Sequence, residues 1–504
     1  MSEAFPGMPP PPAPAVPRLS SVVVLYRKGE AGVELFWVRR EKALAFAGGF
    51  YAFPGGKVDR ADATVPMRGA SGQAAALRVA AARELFEEAG VLVAEGAERL
   101  GDEQVRELRR ALLEKRCTWA ELLERHGLAL RAEDFPEAGR WVTPDFAPMR
   151  FDTFFYLVEV PAHARAEWWP GELSEATWVT PAEALARWQR GTALLHPPAL
   201  HAMRVMADFT EEAVALERMR HPPHCPDFIA QRIDFQQGVR LFPLRTATLP
   251  PATHTNAYVL GNGELLLVDP GADDASEVDL LLAMVEGLVE EGMRPRALLL
   301  THHHADHVGG AGRVRERLGV PLWCHALTAE RLDVPVDRVL EDGEVVELAG
   351  NPPQRWRVLH TPGHARGHLC LVDEHTRAAV VGDMVAGMGT IVIDPPEGDM
   401  GQYLAQLARL RDWPVTTLYP SHGPVILDGP GKLQEYLHHR AAREALILEA
   451  VGPEGATLAE VVQRAYSDTP PFLHPLAERS ALAVLLKLRH EGREREDSGR
   501  YSRV

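Results

Sequence analysis

Apolar positions along this chain fall into short runs that stop at glycine or proline, with longer helical stretches between them. Val22, Val24 and Tyr26, then Val33, Leu35 and Trp37, alternate with other residues on either side of Lys28-Gly29-Glu30-Ala31-Gly32, which predicts two strands around a turn. Tyr51-Ala52-Phe53-Pro54-Gly55-Gly56 reads as a strand ending in a glycine pair, where backbone can approach a ligand closely. A helix is predicted from Ala74 to Ala89, stopped by Gly90. Between Arg99 and Arg131, Leu108, Leu112 and Leu113, then Leu122 and Leu123, stand at helical spacing and predict inserted helices that serve as core or lid. Trp178-Val179-Thr180-Pro181 predicts a strand passing into a helix with Pro in its first turn.

The periodicity breaks at His221-Pro222-Pro223-His224-Cys225-Pro226, so residues 221–238 read as a linker and those two histidines as part of it. Beyond it, Asn256–Leu260 and Glu264–Asp269 around Gly261-Asn262-Gly263 predict a hairpin, followed by a helix from Leu280 to Glu291. Buried-strand runs then recur at Ala297–Leu300, Val358-Leu359, Ala379–Val381 and Leu418-Tyr419. Helical patterns close the chain at Ala445–Ala450, at Thr457–Tyr466 with Thr457 as N-cap, and at Ser480–Arg489. The expected organisation is a Pro-rich disordered tail (1–17), a first domain (18–220), the linker, a second domain (239–430) and a helical tail (431–504).

Composition narrows the function classes. No apolar run approaches the ~20 residues that a membrane helix needs, so no membrane partner is expected. The Pro-rich start lacks the basic and apolar regions of a secretory signal, which predicts a cytoplasmic protein. Cys117, Cys225, Cys324 and Cys370 lie far apart and form no C-x-x-C pair, arguing against a disulfide framework or a zinc ribbon. A net charge of −16 weakens a broad electrostatic case for nucleic acid. The tail from Lys432 to Val504 holds 11 Lys+Arg against 11 Asp+Glu, so its expected role is packing.

Two stretches carry chemistry. The first is Thr301-His302-His303-His304-Ala305-Asp306-His307-Val308-Gly309-Gly310, at the end of an apolar run. In extended backbone His302 and His304 point the same way, while Asp306 and His307 can address a second point. Imidazoles beside a carboxylate are what zinc-class ions select. The glycine pair is expected to let the chain turn at once. His364, Asp383 and His422 each stand beside glycine at the end of another apolar run. The second stretch is Arg83-Glu84-Leu85-Phe86-Glu87-Glu88 on the predicted helix, which puts Glu84, Glu87 and Glu88 on one face. Like charges so placed destabilise a helix unless a cation lies between them, and a hard divalent ion is the natural one. Glu172 or Glu175 is a candidate further carboxylate.

Arg83 to Val91 resembles the second half of the Nudix box. The first half departs: Asp62 stands where Glu is usual, and twenty residues rather than seven separate it from Arg83, an insertion expected in the loop before the helix. With Arg140–Pro144 and Arg150–Phe155, this half resembles the subgroup that includes coenzyme A diphosphatases. The resemblance implies Mg²⁺ or Mn²⁺ on Glu84, Glu87 and Glu88, Arg83 orienting a glutamate, and a small-molecule diphosphate substrate. Residues 240–430 resemble the metallo-β-lactamase superfamily, which implies two Zn²⁺, one on His302, His304 and His364, the other on Asp306, His307 and His422, with Asp383 bridging and Asp269 in support. Glu87, Glu88 and Asp306 are the implied catalytic residues. Thr361–His368 is similar to the thioesterase (glyoxalase II) segment, with His368 read as a core histidine, and the tail to the winged domain of lactamase-like endoribonucleases.

The implied architecture is a Nudix α/β/α sandwich, a metallo-β-lactamase αββα sandwich and a small helical winged domain. The implied function is a bifunctional hydrolase cleaving a nucleoside or coenzyme A diphosphate and an ester, thioester or phosphodiester, thioester and single-stranded RNA being the candidate substrates of the second site. The alternatives are a Nudix half that senses a ligand and regulates its neighbour, or iron-based redox chemistry, which lacks an accompanying flavin domain.

Overall fold

The computed structural model describes residues 13–30, 32–41, 48–171 and 173–504. Most of the tail expected at 1–17 lies outside them, as do Ala31 of the first turn and Glu172. The chain divides into two compact units, Pro14–Gln237 and a unit that runs from Gly238 to Val504.

In the first unit, strands Tyr51–Ala52, Gly32–Arg40, Arg18–Gly29, Phe151–Glu159 and Glu137–Val142 lie side by side in that order. The two long strands are parallel, with Val22 opposite Phe155 and Tyr26 opposite Glu159. The alternation read from the sequence understates their burial. Val24, Tyr26, Leu35 and Trp37 pack on one face with the helices Pro181–Gln189, Pro197–Ala207 and Glu212–Arg220. Val23, Leu25, Phe36 and Val38 pack on the other with the helix Gly72–Ala89. A sheet covered on both faces has apolar residues at successive positions, which is why period-two reading misses half of this core. The insertion is not all loop: Met67–Arg68 bridges to Leu130–Arg131, and the helix starts at Gly72, before the expected Ala74. Leu112, Leu122 and Leu123 are buried as expected on the inserted helices, whereas Leu113 is 45% exposed. The segment read as linker holds a turn at Pro226–Phe228 and a strand at Ile233–Gln236.

The second unit holds two sheets. The strands Val239–Arg245, His254–Leu260, Glu264–Val268, Arg294–Leu299, Leu322–Cys324 and Arg338–Val339 follow one another in order, antiparallel at first and parallel from Glu264–Val268 on. Val345–Leu348, Gln354–His360, Leu369–Asp373, Ala379–Gly382 and Leu418–Pro420 form the second. Leu265 and Leu267 pack outward on the helix Ala275–Glu290, while Leu266 and Val268, at the alternate positions, are also fully buried. The second sheet packs its Leu359, Val372 and Val381 on the helix Met400–Asp412 and on the tail. This is the layered arrangement of two face-covered sheets with helices outside.

The tail is more than helices. Gly429–Val451, Leu458–Ala465 and His474–His490 are followed by a hairpin, Glu494–Asp497 with Arg500–Arg503. Its Ser498 and Gly499 are both left-handed, the twist a two-residue hairpin turn requires. The first helix begins at Gly429, so the boundary expected at 430/431 falls in its first turn. Of the leucines on His474–His490, Leu485 and Leu488 are buried and Leu486 is exposed.

Candidate metal centre

The ligand-type side chains of the second unit all leave the C-terminal ends of strands. Arg294–Leu299 leads to His302 and His304, Gln354–His360 to His364, Ala379–Gly382 to Asp383, and Leu418–Pro420 to His422. Asp269, just past Glu264–Val268, organises the first of these. Its carboxylate accepts from the Thr301 amide (2.8 Å), the Thr301 hydroxyl (2.6 Å) and His307 Nδ1 (2.9 Å). Its backbone is left-handed (φ 50°), a conformation costing about 1–3 kcal/mol in a non-glycine residue and sustained here by those three donors. A carboxylate on Nδ1 fixes the proton there and turns His307 Nε2 toward the cluster.

The one-turn helix Ala305–Val308 sets Asp306 and His307 beside each other. Gly309 and Gly310 do not serve the turn as expected, since both have right-handed φ values of −51° and −84°. They serve close approach: a Cβ on Gly310 would lie 2.4 Å from the Pro270 carbonyl oxygen, and one on Gly309 2.4 Å from Asp273 Oδ1. Gly271 is tighter still, with its Cβ position 1.7 Å from the Asp306 carbonyl oxygen.

Other contacts aim the remaining ligands. His364 Nδ1 donates to the Val392 carbonyl (2.9 Å) and His422 Nδ1 to the His254 carbonyl (3.2 Å). Both rings therefore present Nε2 inward. His368 is buried but not merely core: its Nε2 accepts from the Asp383 amide (3.0 Å), and its Nδ1 bonds the Thr361 hydroxyl (2.8 Å).

Inside the cluster, His304 Nδ1 lies 3.0 Å from both His302 Nε2 and His364 Nε2. His422 Nε2 lies 3.4 Å from Asp306 Oδ2 and 3.3 Å from Asp383 Oδ1, and Asp383 Oδ2 lies 3.4 Å from His364 Nε2. Asp383 thus turns one oxygen toward each trio. Four-coordinate zinc with bonds near 2.1 Å separates its ligand atoms by about 3.4 Å. The pairs in the first trio lie at 3.0 Å, and those in the second at 3.4 Å and, from His307 Nε2 to Asp306 Oδ1, 4.0 Å, a spacing that suits such an ion at each. The buried His307 Nε2 has no hydrogen-bond partner, as an atom reserved for a cation would not.

The charge state fits as well. Burial, with neighbouring imidazoles, holds His302 well below the usual histidine range and His304 down to about 2, so both are neutral donors. Burial opposes charge on His307, but Asp306, Asp383 and Asp269 outweigh it and push its pKa up to about 10. His422 is raised against burial by Asp383 and Asp306. Without metal the second trio therefore carries protons that a cation would displace.

In the first unit, Arg83 is the hub of the helix Gly72–Ala89. It bonds both oxygens of the buried Asp62 (2.9 and 3.0 Å), Glu84 (2.8 Å) and Glu87 (3.4 Å). Asp62, the residue that departs from the box pattern, is thus the partner of the arginine. Glu88 accepts from the Gly55 amide (2.9 Å), and a Cβ on Gly56 would lie 2.4 Å from the Glu84 carboxylate. Burial, offset in part by Arg83 and increased by Glu87, pushes Glu84 up to about 7. Among the described residues the compact metal-type groups are the three of the second unit, and Glu84, Glu87 and Glu88 do not form another. Glu175 accepts from the Tyr51 hydroxyl (2.9 Å). The four cysteines are free, with Cys370 pushed up to about 12 by burial. No described helix is long and apolar enough to cross a membrane.

Comparison with known proteins gives three matches in chain order. Residues 66–206 match the NUDT19 Nudix domain, 250–422 the metallo-beta-lactamase superfamily, and 457–501 the beta-lactamase associated winged helix domain. The chain is 34% identical over 244 residues to an atrochrysone carboxyl ACP thioesterase of Aspergillus chevalieri, covering 46% of this chain and 75% of that protein. It is 33% identical over 256 residues to a beta-lactamase-like protein 2 homolog of Drosophila melanogaster (48% and 84%). Against the homolog of Caenorhabditis elegans it is 30% identical over 246 residues (47% and 79%).

Proposed function

This chain belongs to the metallo-β-lactamase superfamily, with a Nudix domain ahead of that fold and a winged-helix domain behind it, and from that premise we propose a hydrolase with two separate active sites. In the second unit His302, His304 and His364 hold one zinc-class ion, Asp306, His307 and His422 hold the other, and Asp383 bridges. The observation that carries this is the placement of the two Asp383 oxygens, one toward each trio. Such ions, when bound, supply Lewis acidity and a water of lowered pKa. The chain's own part is orientation: Asp269 aims His307, the Val392 carbonyl aims His364, and His368 fixes the backbone of Asp383.

The favoured substrate of this site is a thioester. The relative from Aspergillus chevalieri is a thioesterase, and the charge-balanced tail gives little footprint for RNA. In the first unit Glu84, Glu87 and Glu88 bind Mg²⁺ or Mn²⁺ once a diphosphate of a nucleoside or of coenzyme A brings its own oxygens to the shell. Arg83 holds two of those carboxylates in place. The unpaired cysteines suit a reducing compartment such as the cytoplasm.

The test is metal analysis of the purified chain with a panel of acyl thioesters, nucleoside and coenzyme A diphosphates and single-stranded RNA. Close to two zinc-class ions per chain, zinc-dependent thioester cleavage and Mg²⁺-dependent diphosphate cleavage are expected. Protein that holds no zinc even after its addition contradicts the reading of the second site, and RNA cleavage without thioester cleavage contradicts its substrate. A second reading, a Nudix half that binds without turnover, is favoured by the hold of Arg83 on Glu84 and Glu87. Diphosphate binding with no cleavage at saturating Mg²⁺ would establish it.

A further inference from the structure

Between the strand Ala379–Gly382 and the helix Met400–Asp412, residues 384–393 contain neither helix nor strand, yet Val385, Ala386, Ile391 and Ile393 are buried. Buried backbone without a ladder must find its hydrogen bonds elsewhere. Here the partners come from two directions. On one side stand the ligands: His364 Nδ1 donates to the Val392 carbonyl, and the Gly387 amide donates to the His422 carbonyl at 2.8 Å. On the other side stands the tail. The Tyr436 hydroxyl accepts from the Ala386 amide (2.9 Å) and donates to the Gly389 carbonyl (3.0 Å). Arg440, one turn along the same helix and buried, donates to the Ile391 carbonyl. Ser480 accepts from the Ile393 amide (3.4 Å), and Arg479 pairs with Asp394.

We propose that the helical tail is a working part of the metal centre: through Tyr436 and Arg440 of its first helix it sets the course of residues 384–393, which in turn aim His364 and anchor His422. The inference rests on the zinc reading above. Tyr436 and Arg440 are positioning residues that never touch an ion or a substrate. Their effect on His364 passes through the Val392 carbonyl, which fixes both the Nδ1 proton and the ring plane of that histidine. Loss of an outer hydrogen bond of this kind typically weakens metal binding about ten- to a hundredfold.

The experiment compares full-length wild type, Tyr436→Phe with Arg440→Met, and Arg443→Met. Arg443 lies on the same helix but bonds the Ala465 carbonyl and Asp468, inside the tail, and so reports on tail packing alone. Zinc affinity is read by titration against a chromophoric chelator, and folding by thermal melting of the metal-free chain. The double variant should lose one of its two zinc ions at about tenfold or more lower chelator, with Arg443→Met indistinguishable from wild type. Wild-type zinc affinity in a folded double variant overturns the proposal, as does an equal loss in Arg443→Met. Should the double variant fail to fold, Tyr436→Phe, which removes one oxygen atom, decides by the same criterion. A wild type that binds no zinc overturns the underlying reading itself, and shows in the parent rather than the variants.

Discussion

Gly271→Ala should empty half of the metal centre while leaving the fold standing. Gly271 follows Asp269 in the loop after Glu264–Val268, and its missing side chain leaves room for the backbone of the helix Ala305–Val308. A Cβ there would meet the Asp306 carbonyl oxygen at 1.7 Å and its carbon at 2.6 Å. Since real Cβ contacts are not found below 3.0 Å, the carbonyl must retreat by about 1.3 Å. Metal sites tolerate about 0.2 Å in ligand position, so Asp306 and His307 would fall outside the reach of a shared ion. Overpacking of this kind costs about 1–3 kcal/mol. At about 2–4 °C per kcal/mol for a domain of this size, the melting point falls by several degrees without loss of the native state. Gly312→Ala is the control, because its Cβ would find nothing nearer than Val334 at 3.8 Å and it lies in the helix Ala311–Leu318. Zinc content by elemental analysis, with a melting curve, reads the outcome. Gly271→Ala should retain close to one ion and Gly312→Ala close to two. Two tightly held ions and a wild-type melting point in Gly271→Ala would refute the reasoning.

Two further outcomes follow from the first unit. Glu87→Gln combined with Glu88→Gln should abolish Mg²⁺-dependent diphosphate hydrolysis with melting unchanged or raised, because the acidic face costs the helix stability; wild-type turnover would make those carboxylates a solvated face. His196 is half-buried, and loss of hydration first and the charge of Arg40 second push its pKa down to about 4. Its folded value lies below the unfolded value near 6.5, so the folded state binds fewer protons, and stability is full above pH 6.5 and lost as pH falls toward 4. The loss amounts to about 3 kcal/mol, and His196→Phe should flatten urea-unfolding free energy over that range; parallel pH slopes in the two proteins would contradict this.

The side chains gathered at the candidate metal centre were legible because chemistry and punctuation coincide: His302, His304, His364, Asp383 and His422 each end an apolar run, next to or near glycine. What aims them was not. Asp269 was expected in support, but its left-handed backbone was not, and the Val392 carbonyl and the two bonds of His368 act through tertiary geometry that residue type does not reveal. The covered sheet of the first unit hid half its core because both faces are apolar. The role of Asp62 depends on a contact twenty-one residues away that the inserted segment makes possible. The wing hairpin carried a usable signal in Asp497-Ser498-Gly499-Arg500, but its strands are charged, and charged strands escape a search for apolar alternation.

The claim that this chain carries two independent hydrolytic centres is tested most directly by assaying full-length His304→Ala for both reactions at saturating Mg²⁺. Thioester cleavage should vanish, because one of three nitrogen donors to the first zinc is gone, while diphosphate cleavage proceeds at the wild-type rate. Loss of both activities in a folded protein would contradict the account and point to one composite site.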